Sequence, residues 1–166
     1  MIESGLSNFA LGNAAIQALL GQSAADKTAG VYSAFYFSVL PKGAALPGIV
    51  LDRLKSDDAA DTLDLRTPAP GTMIEARFQF GSVAQDQEGS QNPNPASPSG
   101  YLSAAFLSQA LRRQLIALPS AGALPDGTLV KDVWIIDEYD AHYESGGQGY
   151  IFRRVLQIGM LFQETR

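Results

Sequence analysis

Cysteine is absent from the 166 residues, which excludes disulfide staples and cysteine-ligated zinc. Histidine occurs once, at His142, so no histidine pair can clasp a metal and any catalytic relay would have to use that ring. The sequence holds no Gly-x-Ser-x-Gly elbow, no Gly-x-x-x-x-Gly-Lys and no Gly-x-Gly-x-x-Gly, the patterns that raise a serine nucleophile or cradle phosphates. Charge is scarce too: 17% of residues are Asp, Glu, Lys or Arg, against about 25% in an ordinary domain. Neutral surface is easier to bury against a partner, a compositional pointer to assembly. The net charge of −5 lacks the basic footprint of a free nucleic-acid binder. No apolar run reaches the length of a membrane span, and Met1-Ile2-Glu3-Ser4 lacks the basic opening of a signal peptide. A soluble protein without membrane contact is expected, cytosolic when made.

What is present is a 46% hydrophobic content laid out with clear periodicities. Leu6, Phe9, Ala10, Ile16 and Leu20 recur at helical steps, broken by the polar Asn13, which predicts a helix capped by Ser7 or Asn8 and ended by Gly21. Residues 31–40 read as a strand apolar on both faces, hence central or covered on both sides. Residues 49–55 read as a second strand. Residues 72–82 give the cleanest alternation, with Ile74, Ala76, Phe78 and Phe80 on one face and Glu75, Arg77 and Gln79 on the other. A stripe of Ala104, Leu107, Leu111, Leu115 and Leu118 predicts a helix over 101–118, capped by Ser99 and stopped by Pro119. Residues 129–139 and 150–164 complete the strands, joined by a hairpin at Ser145-Gly146-Gly147. The order is α-β-β-β-α-β-β. It predicts one α+β domain over 1–166, with a mixed or antiparallel sheet of about five strands and two helices on one face. Phe78, Phe80, Phe152, Leu156, Ile158 and Phe162 should meet the leucine stripe. Residues 85–100, nearly all polar, predict a flexible loop.

Two acidic clusters invite a chemical reading. Glu138, Asp140, His142 and Glu144, with Asp137 beside them, would share a strand face as divalent-metal ligands. Their spacing matches no calcium loop and no zinc motif, so a solvated strand end is the simpler reading. Asp57, Asp58, Asp61 and Asp64 lie in a polar stretch and form either a solvated loop or an interaction surface. Arg153 and Arg154 fall on opposite faces of the last strand. One must therefore point at the core side and find a carboxylate, within the domain or on a neighbour. No catalytic residue, cofactor or metal site is expected.

The order of the pieces carries a resemblance. A helix ends Ile16-Gln17-Ala18-Leu19-Leu20-Gly21. Then come Ala45-Leu46-Pro47-Gly48-Ile49-Val50-Leu51-Asp52-Arg53-Leu54, Ile74-Glu75-Ala76-Arg77-Phe78-Gln79-Phe80 and the helix around Leu107 to Leu118. The chain closes with Asp137-Glu138-Tyr139-Asp140-Ala141-His142-Tyr143-Glu144, a glycine turn and Gly159-Met160-Leu161-Phe162-Gln163-Glu164. In this order they resemble the tail completion, or tail terminator, family of long-tailed bacteriophages and prophages. The polar stretch 85–100 is longer than that pattern leads one to expect. The resemblance implies an α+β subunit of a hexameric ring at the head-proximal end of the virion tail. Such a ring caps the tail tube protein and meets the head–tail connector protein, and DNA passes through its lumen. The family has no catalytic residues to carry over. Asp57, Asp58, Asp61, Asp64, Arg153 and Arg154 are the candidates for lumen or interface.

Overall fold

The computed structural model describes residues 2–21, 34–42, 44, 46–54, 72–85, 100–144 and 150–163, with only the backbone described at 142–144 and 150. Helices α1 (Ile2–Gly12) and α2 (Ala14–Leu19) lead into strands β1 (Phe35–Phe37), β2 (Gly48–Leu54) and β3 (Met73–Gln85). Helix α3 (Gly100–Ala121) follows, then β4 (Leu129–Glu144) and β5 (Tyr150–Gln163). The strands form one five-stranded sheet in the order β1-β2-β3-β5-β4. Only β1 and β2 run parallel; the other neighbours are antiparallel. The mixed sheet with helices gathered on one face is the α+β arrangement expected from the sequence.

The core is set by alternation. On β3, Ile74, Ala76, Phe78 and Phe80 are buried, and on β5 so are Leu156, Ile158, Met160 and Phe162. The register pairs Phe78 with Ile158 and Phe80 with Leu156, so these side chains form one apolar surface. Leu107, Leu111, Leu115 and Leu118 of α3 close over it, and Ile2, Leu6 and Ala10 of α1 extend it. Phe78 and Phe162 meet with ring centroids 6.4 Å apart. A smaller cluster of Val50, Val83 and Ile151 lies apart from this core, with Tyr36, Leu40 and Leu46 packed on it. Phe152, expected in the core, is only half-buried, because it stands near the end of β5 beyond the leucine stripe.

Several expectations are corrected. The first helix is two helices: Asn13 takes an extended conformation, and its Oδ1 accepts the amides of Ala15 and Ile16 at 3.0 and 3.2 Å. The polar exception in the helical pattern is thus the cap of the second helix. Strand β1 is not central, and its cover is partial: Phe35 packs on the main core and Tyr36 on the smaller cluster. It is the edge strand of the described sheet, only three residues long, and Phe37 and Val39 stand exposed. An apolar run signals burial only where some layer covers it, and Phe37, set 5.6 Å from the Phe35 ring, stays half exposed. Pro119 does not stop α3 but sits in its last turn. The missing N–H costs one hydrogen bond at a point where the helix is about to end. Termination falls to Gly122, with φ +88° and its amide donating to Leu118 O at 3.1 Å. The polar stretch 86–99 and the hairpin loop 145–149 lie outside the described residues.

Close approach demands a glycine at 159. Gly159 pairs with Trp134 across β4 and β5, and a Cβ there would fall 2.1 Å from the indole ring. Two predictions follow from the packing. Phe78→Ala should lower stability by about 3–5 kcal/mol in urea denaturation, and a loss below about 1 kcal/mol would contradict the burial described. Gly159→Ala should displace the sole tryptophan, costing about 1–3 kcal/mol with a shift of its fluorescence emission. An unchanged spectrum would show that the indole does not lie on Gly159.

Candidate functional site

The register of β4 against β5 jumps between Val130 and Asp132 and again between Ile135 and Asp137. Each bulge adds one residue and moves the strand by one step of its alternation. The core residues Val130 and Val133 are therefore three apart, not two. Past the second bulge, Glu138 and Asp140 turn to the side that carries α3, where unbroken alternation from Ile135 would have put Asp137 and Tyr139.

There they meet Arg154, which shares a face of β5 with Leu156 and Ile158. Its Nη1 donates to both oxygens of Asp140 at 2.8 and 2.9 Å, and its Nε to Glu138 Oε1 at 3.2 Å. Glu138 also accepts from the buried Ser108 hydroxyl at 3.4 Å and from Arg112 Nη1 at 3.1 Å, both on α3. The cluster ties the helix to the strand it covers. The hydrogen bond to Asp140 holds the Arg154 guanidinium above its ordinary value; partial burial opposes this, and Glu138 adds to it. The charge on Arg154 is permanent in the folded protein. Beside it opens a hollow of about 270 Å³ lined by Tyr101, Ala104, Asp140, Phe152 and Arg154, with Tyr101 set edge-on to Phe152 at 6.2 Å.

The other arginine serves the other face of the sheet. Arg153 Nη2 lies 3.5 Å from Asp52 Oδ2. Gln79 donates to the same oxygen at 3.5 Å, and Gln157 donates to Gln79 Oε1 at 3.1 Å. The row Asp52–Gln79–Gln157 crosses three strands in register. Gly81 leaves the space the guanidinium occupies, since a Cβ there would meet Arg153 Nε at 2.4 Å. That Nε is buried without a hydrogen-bond partner among the described residues.

The core-side arginine anticipated from sequence is Arg154, and its carboxylates come from its own subunit. Of the two sources anticipated for that carboxylate, the domain and a neighbour, the domain supplies it. Asp57, Asp58, Asp61 and Asp64 lie outside the described residues, as do the side chains of His142 and Glu144. Asp137 turns away from the cluster and accepts the Glu138 amide at 2.8 Å. Among the described residues no group of three or more His, Cys, Asp or Glu is arranged to hold a metal. Ser108 and Arg112 as partners of Glu138, and Asp52, Gln79 and Gln157 as a row, leave no local mark in the sequence. The first pair is 30 and 26 residues away from its acceptor, and the row depends on strand register.

No family model matches the chain, and no curated protein does. Among solved structures it is similar to a chain in one described as "Virion of native gene transfer agent (GTA) particle". The two share 16% identity over 98% of this chain and 95% of that one, with a TM-score of 0.55. At that identity the likeness is one of fold, and it runs nearly the whole length of both chains.

The cluster generates a prediction about coupling. A double-mutant cycle of Arg154→Ala and Glu138→Ala in urea denaturation should give about 1–2 kcal/mol, more than a fully solvated pair because Glu138 is mostly buried, yet discounted for the exposure of Arg154. A coupling below about 0.3 kcal/mol would mean that the two groups do not act on each other in solution.

Proposed function

We propose that this chain is a structural subunit of a phage-like virion, and within it a tail terminator. The observation that carries the reading is the full-length likeness of fold to a chain of a gene transfer agent particle. The order of sequence pieces that resembles the tail completion family supports it independently. In this reading the role is assembly, not catalysis. Copies close into a hexameric ring at the head-proximal end of the tail, cap the tail tube protein, and present a surface to the head–tail connector protein. DNA passes through the lumen without being read.

The physical requirements of that role agree with what the chain offers. A ring needs two different surfaces that meet on rotation. The sheet has two dissimilar edges, the short β1 and the long, twice-bulged β4. Unpaired edge groups invite a further strand, and bulges restrict which strand fits. A net charge of −5 suits a channel that DNA must leave freely, since acidic loops repel phosphate. Asp57, Asp58, Asp61 and Asp64 are proposed for that lining, and the acidic segment after Lys55 together with a sheet edge for the contact between subunits. Another neck component would use the same surfaces, and the location of the defect distinguishes the two.

Particles lacking this chain, imaged by electron microscopy, should show overlong or headless tails. Tails of normal length joined to filled heads would refute the terminator role. Size-exclusion chromatography with light scattering on the purified chain should detect a closed oligomer at high concentration.

A further inference from the structure

Helix α3 carries two stripes. The inner one, Ala104, Leu107, Leu111, Leu115 and Leu118, is buried in the core. The outer one is Phe106, Gln109, Arg113 and Ile116, at steps of three, four and three residues. At about 100° per residue these four fall within an arc of about 80°. Phe106 and Ile116 are 42% and 48% exposed, so large apolar groups stand at both ends of a seam spaced as one helix meets another.

The seam borders a groove. Ala15, Ala18 and Leu19 of α2 face Phe106, Ala110 and Arg113 of α3 across a hollow of about 470 Å³. A second hollow, of about 390 Å³, continues from Gln109 and Arg113 to Arg112 and Ile116. Three of the lining residues, Ala15, Ala18 and Ala110, are alanines, small enough to allow close approach of another backbone. The charge is of one sign. Neither α2 nor α3 contains an Asp or Glu, while α3 brings Arg112 and Arg113 to the groove. Arg112 gives one nitrogen to Glu138, and Arg113 makes no ion pair among the described residues. On a chain of net charge −5 this is a basic and apolar island.

We propose that this groove docks an acidic amphipathic helix of a partner protein. Apolar residues of that helix would lie against Phe106, Ile116 and the α2 alanines, and its carboxylates would meet Arg113 and Arg112. A second copy of α3 is the poorer occupant, because a two-fold pairing of the seam sets the arginines of one copy beside those of the other. Helix-in-groove recognition takes its affinity from the apolar anchors and its choice of partner from the flanking charges. The inference does not rest on the ring reading and concerns a different surface.

The test uses the full chain and a fluorescein-labelled designed peptide of about 20 residues, long enough to form a helix. It carries leucine at the a and d positions of its heptads and glutamate at e and g. Fluorescence anisotropy should show saturable binding that weakens as salt is raised. Phe106→Asp with Ile116→Asp should weaken it about tenfold or more, as should Arg113→Glu alone. These are solvent-facing changes, and circular dichroism should show the fold retained. The same peptide with lysine for glutamate should bind at least about tenfold more weakly. Equal binding of the lysine peptide, absence of binding, or binding untouched by either variant overturns the proposal. Self-association in analytical ultracentrifugation that Phe106→Asp abolishes also overturns it, assigning the seam to a second copy. A ring that forms normally without peptide binding sinks this proposal alone, and a monomer that binds the peptide sinks only the ring.

Discussion

Strand β5 is the constraint on which the rest of this structure depends. It is hydrogen-bonded along both edges, to β3 on one side and β4 on the other. Its alternate residues Leu156, Ile158, Met160 and Phe162 are wholly buried. A slip of one residue against either neighbour would carry those four side chains to the opposite face, so the burial of one face fixes the register on both edges. Gly159 belongs to the same constraint. It lies on the opposite face and leaves room for the indole of Trp134 where a side chain would hold β4 away.

Strand β4 answers to that constraint at the expense of its own regularity. Its two bulges let it follow β5 over 16 residues while changing which of its residues face α3. The first part of the strand brings valines to the core; the part beyond the second bulge brings Glu138 and Asp140. Arg154 then completes a cluster in which one carboxylate, Glu138, accepts from a serine, a helix arginine and a strand arginine. Partly exposed ion pairs of this kind contribute little net stability. Their effect is geometric, since α3 is held over β4 at a position that leucine packing alone, being non-directional, leaves free to slide.

A helix fixed in this way presents its far side as a defined surface. The inner stripe of α3 is spent on the fold, and the outer stripe, with α2 beside it, is left facing solvent among the described residues. The sheet edges lie elsewhere on the subunit. On the proposed reading as a virion subunit, the chain would have to satisfy copies of itself and proteins of other kinds at once, which separate surfaces permit. On the proposed roles, the sheet edges take copies of this chain and the α2–α3 groove takes another protein.

Much of the fold was legible in the sequence because one-sided burial leaves a periodic mark. The period-two pattern of 72–82 and of the last strand located β3 and β5, the leucine stripe located α3, and the adjacent Arg153 and Arg154 implied one arginine on the core side. Asn13 was visible only as an interruption, because capping depends on the backbone turning extended at that residue, which composition does not encode. Over 34–40, the described part of the apolar run, the pattern overstated burial at Phe37 and Val39, since a sequence shows what a strand could bury and not what lies on it. The partners of the arginines were decided by tertiary structure. Arg154 meets Glu138 and Asp140 only because two bulges shift β4, and Arg153 meets Asp52, 101 residues away, only because β3 carries a glycine where the guanidinium must lie. Local pattern fixes which residues want to be inside. Which groups they meet there depends on register and on the order of strands, quantities that belong to the assembled sheet.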